Sequence, residues 1–147
     1  MVLVQKKIFN KNQLIDNLKI DSQVGSVVTF CGYVRDFSPQ INKHLNKYLF
    51  IEHYDGMTQR YLKKIEGNVL KKWKIKKIII VHRIGEISIN DPIVFVGVST
   101  EHRDDAFDAC RYIIDYLKIS APFWKKEVSG DCSEWVKQKE SDLLKVK

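Results

Sequence analysis

The sequence is poor in chain breakers, with three prolines and seven glycines in 147 residues. No internal repeat, low-complexity tract or linker interrupts it, so one domain over residues 1–147 is expected, with a charged tail from about 138. Cysteine is scarce and odd in number. Cys31, Cys110 and Cys132 stand far apart, which argues against a disulfide framework and fits reduced thiols. Long apolar runs are missing too. "IIIV" at 78–81 is strand-sized and too short to cross a bilayer, so no membrane contact is expected. The first residues, "MVLVQKKIFNK", lack the apolar stretch of a secretory leader, and a cytoplasmic location is the expectation.

Familiar motifs are absent as well. There is no GxGxxG, no phosphate-binding Gly-rich loop with Lys-Ser/Thr, no HExxH and no CxxC. His82 and His102 have no cysteine near them at metal-ligand spacing, so no metal is expected, and no Ser-His-Asp set is readable.

Charge, by contrast, is plentiful and uneven. The net charge is +7, and the segment Arg60–Lys77 carries eight basic residues against the single acid Glu66. A stripe of this kind attracts acidic partners, nucleic acid among them. A solvated helix face followed by a lysine-protected edge strand is the favoured explanation, since Trp73 alone offers a base a stacking surface.

Strands are expected at "SVVTFCGYV" (26–34) and "YLFIEHY" (48–54), both rich in β-branched and aromatic residues, around a polar loop holding Pro39. Asp55 is a candidate N-cap for a helix whose stripe is Met57, Tyr61, Leu62, Ile65, Val69 and Trp73. "KKIIIVHRIG" and "IVFVGVST" read as strands around a turn at Ile89–Pro92. A second helix from about Glu101 turns Ala106, Cys110, Ile113 and Leu117 inward, with Phe107 and Ile114 beside them, and Pro122 stops it. Short strands at 123–128 and 134–136 close an α+β domain with a mixed or mainly antiparallel sheet.

Chemistry-bearing groups then fall at element ends: Arg35 after a strand, His102 and Arg103 at a helix start, Lys118 at its end, and Lys125 past an apolar corner. Singly, each has a bland explanation in a surface ion pair, a helix dipole or a wet side chain. Together they mark places that converge in folded chains, and an apolar wall beside a lysine penalises its ammonium form.

"GSVVTFCGYVRD" (25–36), "LFIEHYDGM" (49–57), "HRIGEI" (82–87), "VFVGVSTEHRDDAFDACRYIIDYLK" (94–118) and "APFWKKE" (121–127) resemble the catalytic (large) subunit family of molybdopterin synthase, from about Gly25 to Trp135. The resemblance implies a hammerhead-type α/β domain with two main helices and an additional antiparallel sheet. It implies a sulfurtransferase that builds the dithiolene of the molybdenum cofactor on cyclic pyranopterin monophosphate, a substrate, with no resident cofactor. The sulfur would come from the C-terminal thiocarboxylate of a small ubiquitin-like subunit ending in Gly-Gly. The implied assembly is a homodimer within a heterotetramer.

By the same resemblance Lys118 and Lys125 are catalytic. Arg35, His102 and Arg103 bind anions, the latter two across a dimer seam, and Tyr33, Val34, Lys126 and Glu127 lie in substrate-contacting segments. The loop at 36–47 departs from the family in lacking a glycine and in length. Two rival readings remain: a nucleic-acid-binding module using Arg60–Lys77, and a silent scaffold, against which the two retained lysines argue.

Overall fold

In the computed structural model, residues 1–37 and 46–137 are described. The loop around Pro39 and the charged tail lie wholly or mostly outside them. The chain runs β1 (Val2–Gln5), α1 (Lys11–Asp16), β2 (Ser26–Tyr33), β3 (Lys47–His53) and α2 (Met57–Lys72). It continues through β4 (Ile75–Arg83), β5 (Gly85–Ser88), β6 (Pro92–Thr100), α3 (Arg103–Ile119), β7 (Phe123–Ser129) and β8 (Cys132–Trp135). Two four-stranded sheets result, ordered β1-β4-β6-β2 and β5-β3-β7-β8. Every pairing is antiparallel except β1 with β4. The α+β expectation stands.

The first sheet is covered on both faces, which explains its unbroken apolar strands. Side chains alternate across a strand. Ile78 and Ile80 of β4, with Val96 and Val98 of β6, pack against Leu62, Ile65 and Val69 of α2 and Ala109, Cys110 and Ile113 of α3. Ile79, Val81 and Phe95 point the other way, onto Leu14 and Leu18. Burying an isoleucine or leucine contributes roughly 1.5–3 kcal/mol, so this two-sided layer dominates stability. The second sheet has its own core of Val34, Leu49, Ile51, Ile87 and Ile93.

The chain passes between the sheets at one junction. Gly85 sits at φ +77°, which a glycine reaches without strain, and turns the chain from β4 into β5. Arg83 locks the junction from a buried position. Its Nη1 donates to the Pro92 carbonyl at 2.9 Å and lies 3.6 Å from the Asp91 carboxylate, while Nε donates to the Lys6 carbonyl at 3.3 Å.

Several expectations need correction. β1, α1 and β5 were not foreseen, each being short and carrying one buried apolar residue. Asp55 does not cap α2. Gly56 holds that position, and the Asp55 carboxylate accepts from the Gly56 amide at 2.9 Å. α3 starts at Arg103, leaving Glu101 outside it. Met57 is exposed instead of lining the buried stripe of α2, and Phe107, expected beside the stripe of α3, is exposed too. β4 is an interior strand, although Lys76 and Lys77 precede Ile80, where β1 joins it.

Gly97 in β6 faces Leu18, and a Cβ there would stand 2.5 Å from Leu18 Cδ1 and 2.9 Å from Phe95 Cε1. Gly97→Ala is therefore expected to destabilise the chain by about 1–3 kcal/mol through overpacking, read as a lowered urea midpoint at unchanged slope.

Candidate active site

A cleft of about 540 Å³ opens where β2, β4, β6, α3 and β7 meet. Its apolar wall is Phe30, Ile93, Val94, Val96, Ile114 and Leu117. Arg35, Lys118 and Lys125 carry positive charge into it, joined by Tyr33 and His82. Arg35 stands just past the end of β2, and Lys118 is in the last turn of α3, where a cation suits the negative helix terminus. Lys125 arrives from the second sheet: β7 pairs with β3 from Lys47↔Ser129 to His53↔Phe123, which fixes its register. Three cations from distant segments thus share a partly dry space, an environment suited to an anion.

His82 was not foreseen as part of this site. It is 4% exposed, and its ring stacks on Phe123 with centroids 3.7 Å apart and planes 11° from parallel. Its Nδ1 is 2.8 Å from the Arg83 carbonyl, which only accepts, so Nδ1 carries the hydrogen and Nε2 the lone pair. Burial first, and the Lys125 charge second, push its pKa from 6.5 down to about 3. The ring is neutral at physiological pH.

Lys11 is a second unforeseen neighbour. Its ammonium donates to the Tyr33 hydroxyl at 2.6 Å and lies 5.1 Å from the ring centroid. The phenol oxygen raises the Lys11 pKa, so its charge is secure at the rim of the cleft. A lysine from the start of α1 gave no sequence signal for this, because only the fold brings it to β2.

The structure gathers Tyr33, Arg35, Lys118 and Lys125 and leaves other candidates outside the cleft. Val34 is a core residue whose amide and carbonyl bond to Asp91 and Asn90. Lys126 is on the other face of β7, its ammonium 4.7 Å from the Trp135 ring centroid. Glu127 shares the Lys125 face. Burial, then Glu134, raise its pKa, while Arg35 opposes the shift. His102 and Arg103 are exposed at the far end of α3 from Lys118. Fifteen helical residues span roughly 22 Å, so one chain cannot bring both ends of α3 to a small ligand. Cys110 is a buried core thiol raised to about 11 by burial, as its place on the apolar stripe suggested.

The basic stripe lies apart. Lys63, Lys64, Lys71 and Lys74 are exposed, and Lys72 rests its ammonium 4.9 Å from the Trp73 ring and 5.1 Å from that of Tyr112. No residue of α2 lines the cleft.

Fold and cleft define a two-sheet α+β protein with a cationic, half-apolar pocket. The family model described as MoaE protein matches residues 4–120. The molybdopterin synthase catalytic subunit of Vibrio cholerae is 44% identical over 141 residues, covering 96% of this chain and 92% of the relative. Among solved structures, the molybdopterin biosynthesis MoaE protein from Burkholderia ambifaria superposes with a TM-score of 0.81 at 34% identity, covering 99% of this chain and 96% of that one. A molybdopterin synthase structure from Staphylococcus aureus gives 0.79 at 34% identity, covering 91% and 95%. The chain belongs to the MoaE protein family.

A histidine held neutral when folded but protonated near 6.5 when unfolded takes up a proton only on unfolding. Its contribution to stability is complete above about 6.5 and declines as pH falls toward 3. The His82 ring resonances are accordingly expected to stay fixed between pH 8 and 5. Movement across that range would show a ring open to protons.

Proposed function

We propose that this chain is the catalytic subunit of a molybdopterin synthase, moving sulfur from a thiocarboxylated small subunit onto cyclic pyranopterin monophosphate. The convergence of Arg35, Lys118 and Lys125 on a half-apolar cleft carries the reading. Thiocarboxylate and cyclic phosphate are both anions, and bringing them together requires charges of opposite sign already in place. The apolar wall strengthens each of those interactions by excluding water.

In this reading Lys118 meets the thiocarboxylate at the end of the partner's Gly-Gly tail. The sulfur attacks an oxygen-bearing carbon of the precursor, the carbon–oxygen bond breaks and its electron pair leaves with the oxygen, and the tail is left joined through a thioester. Water then cleaves the acyl–sulfur bond, freeing the tail as a carboxylate and the product sulfur as a thiol, and a second round completes the dithiolene. Lys125 assists proton movement or holds the phosphate as its ring opens, and Arg35 grips the phosphate. No resident metal or cofactor is required, and free cysteines fit work in the cytoplasm.

His102 and Arg103 enter through a second copy of the chain. Support comes from their distance from Lys118 and from an apolar flank suited to a neighbour. Phe30 and Phe107, 37% and 60% exposed, line a groove of about 410 Å³ between β2, an edge strand, and α3. Phe30 and Ile114 border this groove and the cleft alike, so a protomer seated there reaches the site.

Reconstitution tests the reading. This chain, a thiocarboxylated small subunit and the cyclic precursor are expected to yield dithiolene pterin, and failure with components proven active elsewhere would overturn it. Lys118→Ala and Lys125→Ala are each expected to lower turnover by about 100-fold or more. Neutralising Lys71, Lys72 and Lys74 should leave turnover near wild type, whereas a nucleic-acid module would lose salt-dependent oligonucleotide binding.

A mixing experiment reports on the shared site. Lys118→Ala and Arg103→Ala chains, each inactive alone, should recover about a quarter of wild-type sites when dimers exchange at random, because half the dimers carry one intact site in two. No recovery in demonstrably mixed dimers would show that Arg103 serves the site of its own chain and would overturn the shared site.

A further inference from the structure

Three observations around His82 point beyond the cationic set. First, its tautomer is fixed. The Arg83 carbonyl claims the Nδ1 hydrogen at 2.8 Å, and stacking on Phe123 fixes the ring plane, so Nε2 presents a lone pair in one direction. Second, Phe123 and Lys125 are two residues apart on β7 and project from the same face. The lysine stem therefore starts roughly 7 Å from the residue on which His82 lies, within reach of its ammonium. Third, among the described residues, His82 and Lys125 line one cleft whose other charged side chains, Arg35 and Lys118, are donors without acceptor capacity.

We propose that His82 is a positioning residue for Lys125: its Nε2 accepts a hydrogen bond from the Lys125 ammonium and holds that flexible side chain against the cleft wall. A lysine on a four-carbon stem has many rotamers, and a fixed acceptor selects the few that aim it into the site. The imidazole is suited to this because it stays uncharged beside the ammonium, so it orients the cation without neutralising it. A carboxylate in the same place would cancel part of the charge that an anionic substrate requires. The lowered basicity of the ring comes first from burial and second from the Lys125 charge, and only that second part bears on this arrangement.

The inference rests on the proposed role of Lys125, and its test separates the two. In the full-length protein, nitrogen NMR should show His82 Nε2 unprotonated at neutral pH, and Lys125→Met should shift that nitrogen downfield by removing the donor. A protonated Nε2, or one indifferent to Lys125→Met, overturns the proposal whatever the enzyme does.

In the reconstituted assay, His82→Phe keeps the stacked ring and loses the acceptor. It should lower kcat by about tenfold with little change in affinity for the small subunit, and His82→Gln, which restores an acceptor near Nε2, should recover most of the loss. In a Lys125→Ala background His82→Phe should cost no more than about twofold, because the two act through one contact. Full multiplication of the two losses would show that His82 acts independently of Lys125, and wild-type turnover in His82→Phe would show that it does nothing. Should His82→Phe fail to fold, the NMR comparison in Lys125→Met still decides. Should wild-type protein transfer no sulfur, the main reading falls while the His82–Lys125 contact is still judged by NMR.

Discussion

The buried guanidinium of Arg83 is the interaction on which the rest of this structure depends. It reaches backbone carbonyls of Lys6 and Pro92 and the carboxylate of Asp91, tying together the segment after β1, the end of β4 and the start of β6. A buried arginine is tolerable only with such partners, and removing one would leave its charge uncompensated. What it gains is geometry. The two sheets diverge at Gly85, and the space between them is the cleft. His82, the preceding residue, takes its tautomer from the Arg83 carbonyl, so one residue sets both the junction and the hydrogen-bonding character of the wall.

The division of labour between charge and burial is also spatial. The lysines of α2 and the start of β4 supply most of the net charge, yet none of them lines the cleft. The working cations are fewer and are set by register. Lys125 faces the cleft and Lys126 does not, because adjacent strand residues point to opposite faces. A slip of one residue in β7 would exchange them. The pairing with β3 along the whole length of β7, with Ile51 opposite Lys125, prevents that slip.

The legible part of the fold was the part with strong periodicity. β4, β6, α2 and α3 declared themselves because each buries several apolar residues at a repeating interval. β1, α1 and β5 bury one apolar residue each and depend on tertiary pairing, so no local pattern announces them. The cleft was legible through cations at element ends and through family resemblance. His82 and Lys11 escaped because their significance lies in contacts with Phe123 and Tyr33, which are remote in sequence. A histidine beside an arginine near a strand end reads as part of an ordinary strand. Only the stacked ring and the claimed Nδ1 hydrogen give it a direction.

The hairpin of β7 and β8 has one further consequence, for the order in which the molecule fails. β8 is exposed along its whole length and, among the described residues, pairs only with β7, at the edge of the smaller core. Such edges open locally at a fraction of the free energy needed to unfold the whole chain. Lys125 rides on that hairpin, whereas Lys118, Arg35 and His82 are carried by the first sheet and the helix packed on it. Warming would therefore loosen the outer side of the strand that carries Lys125 before it melts the core. Loss of activity in this protein would report fraying at one edge well before it reports unfolding.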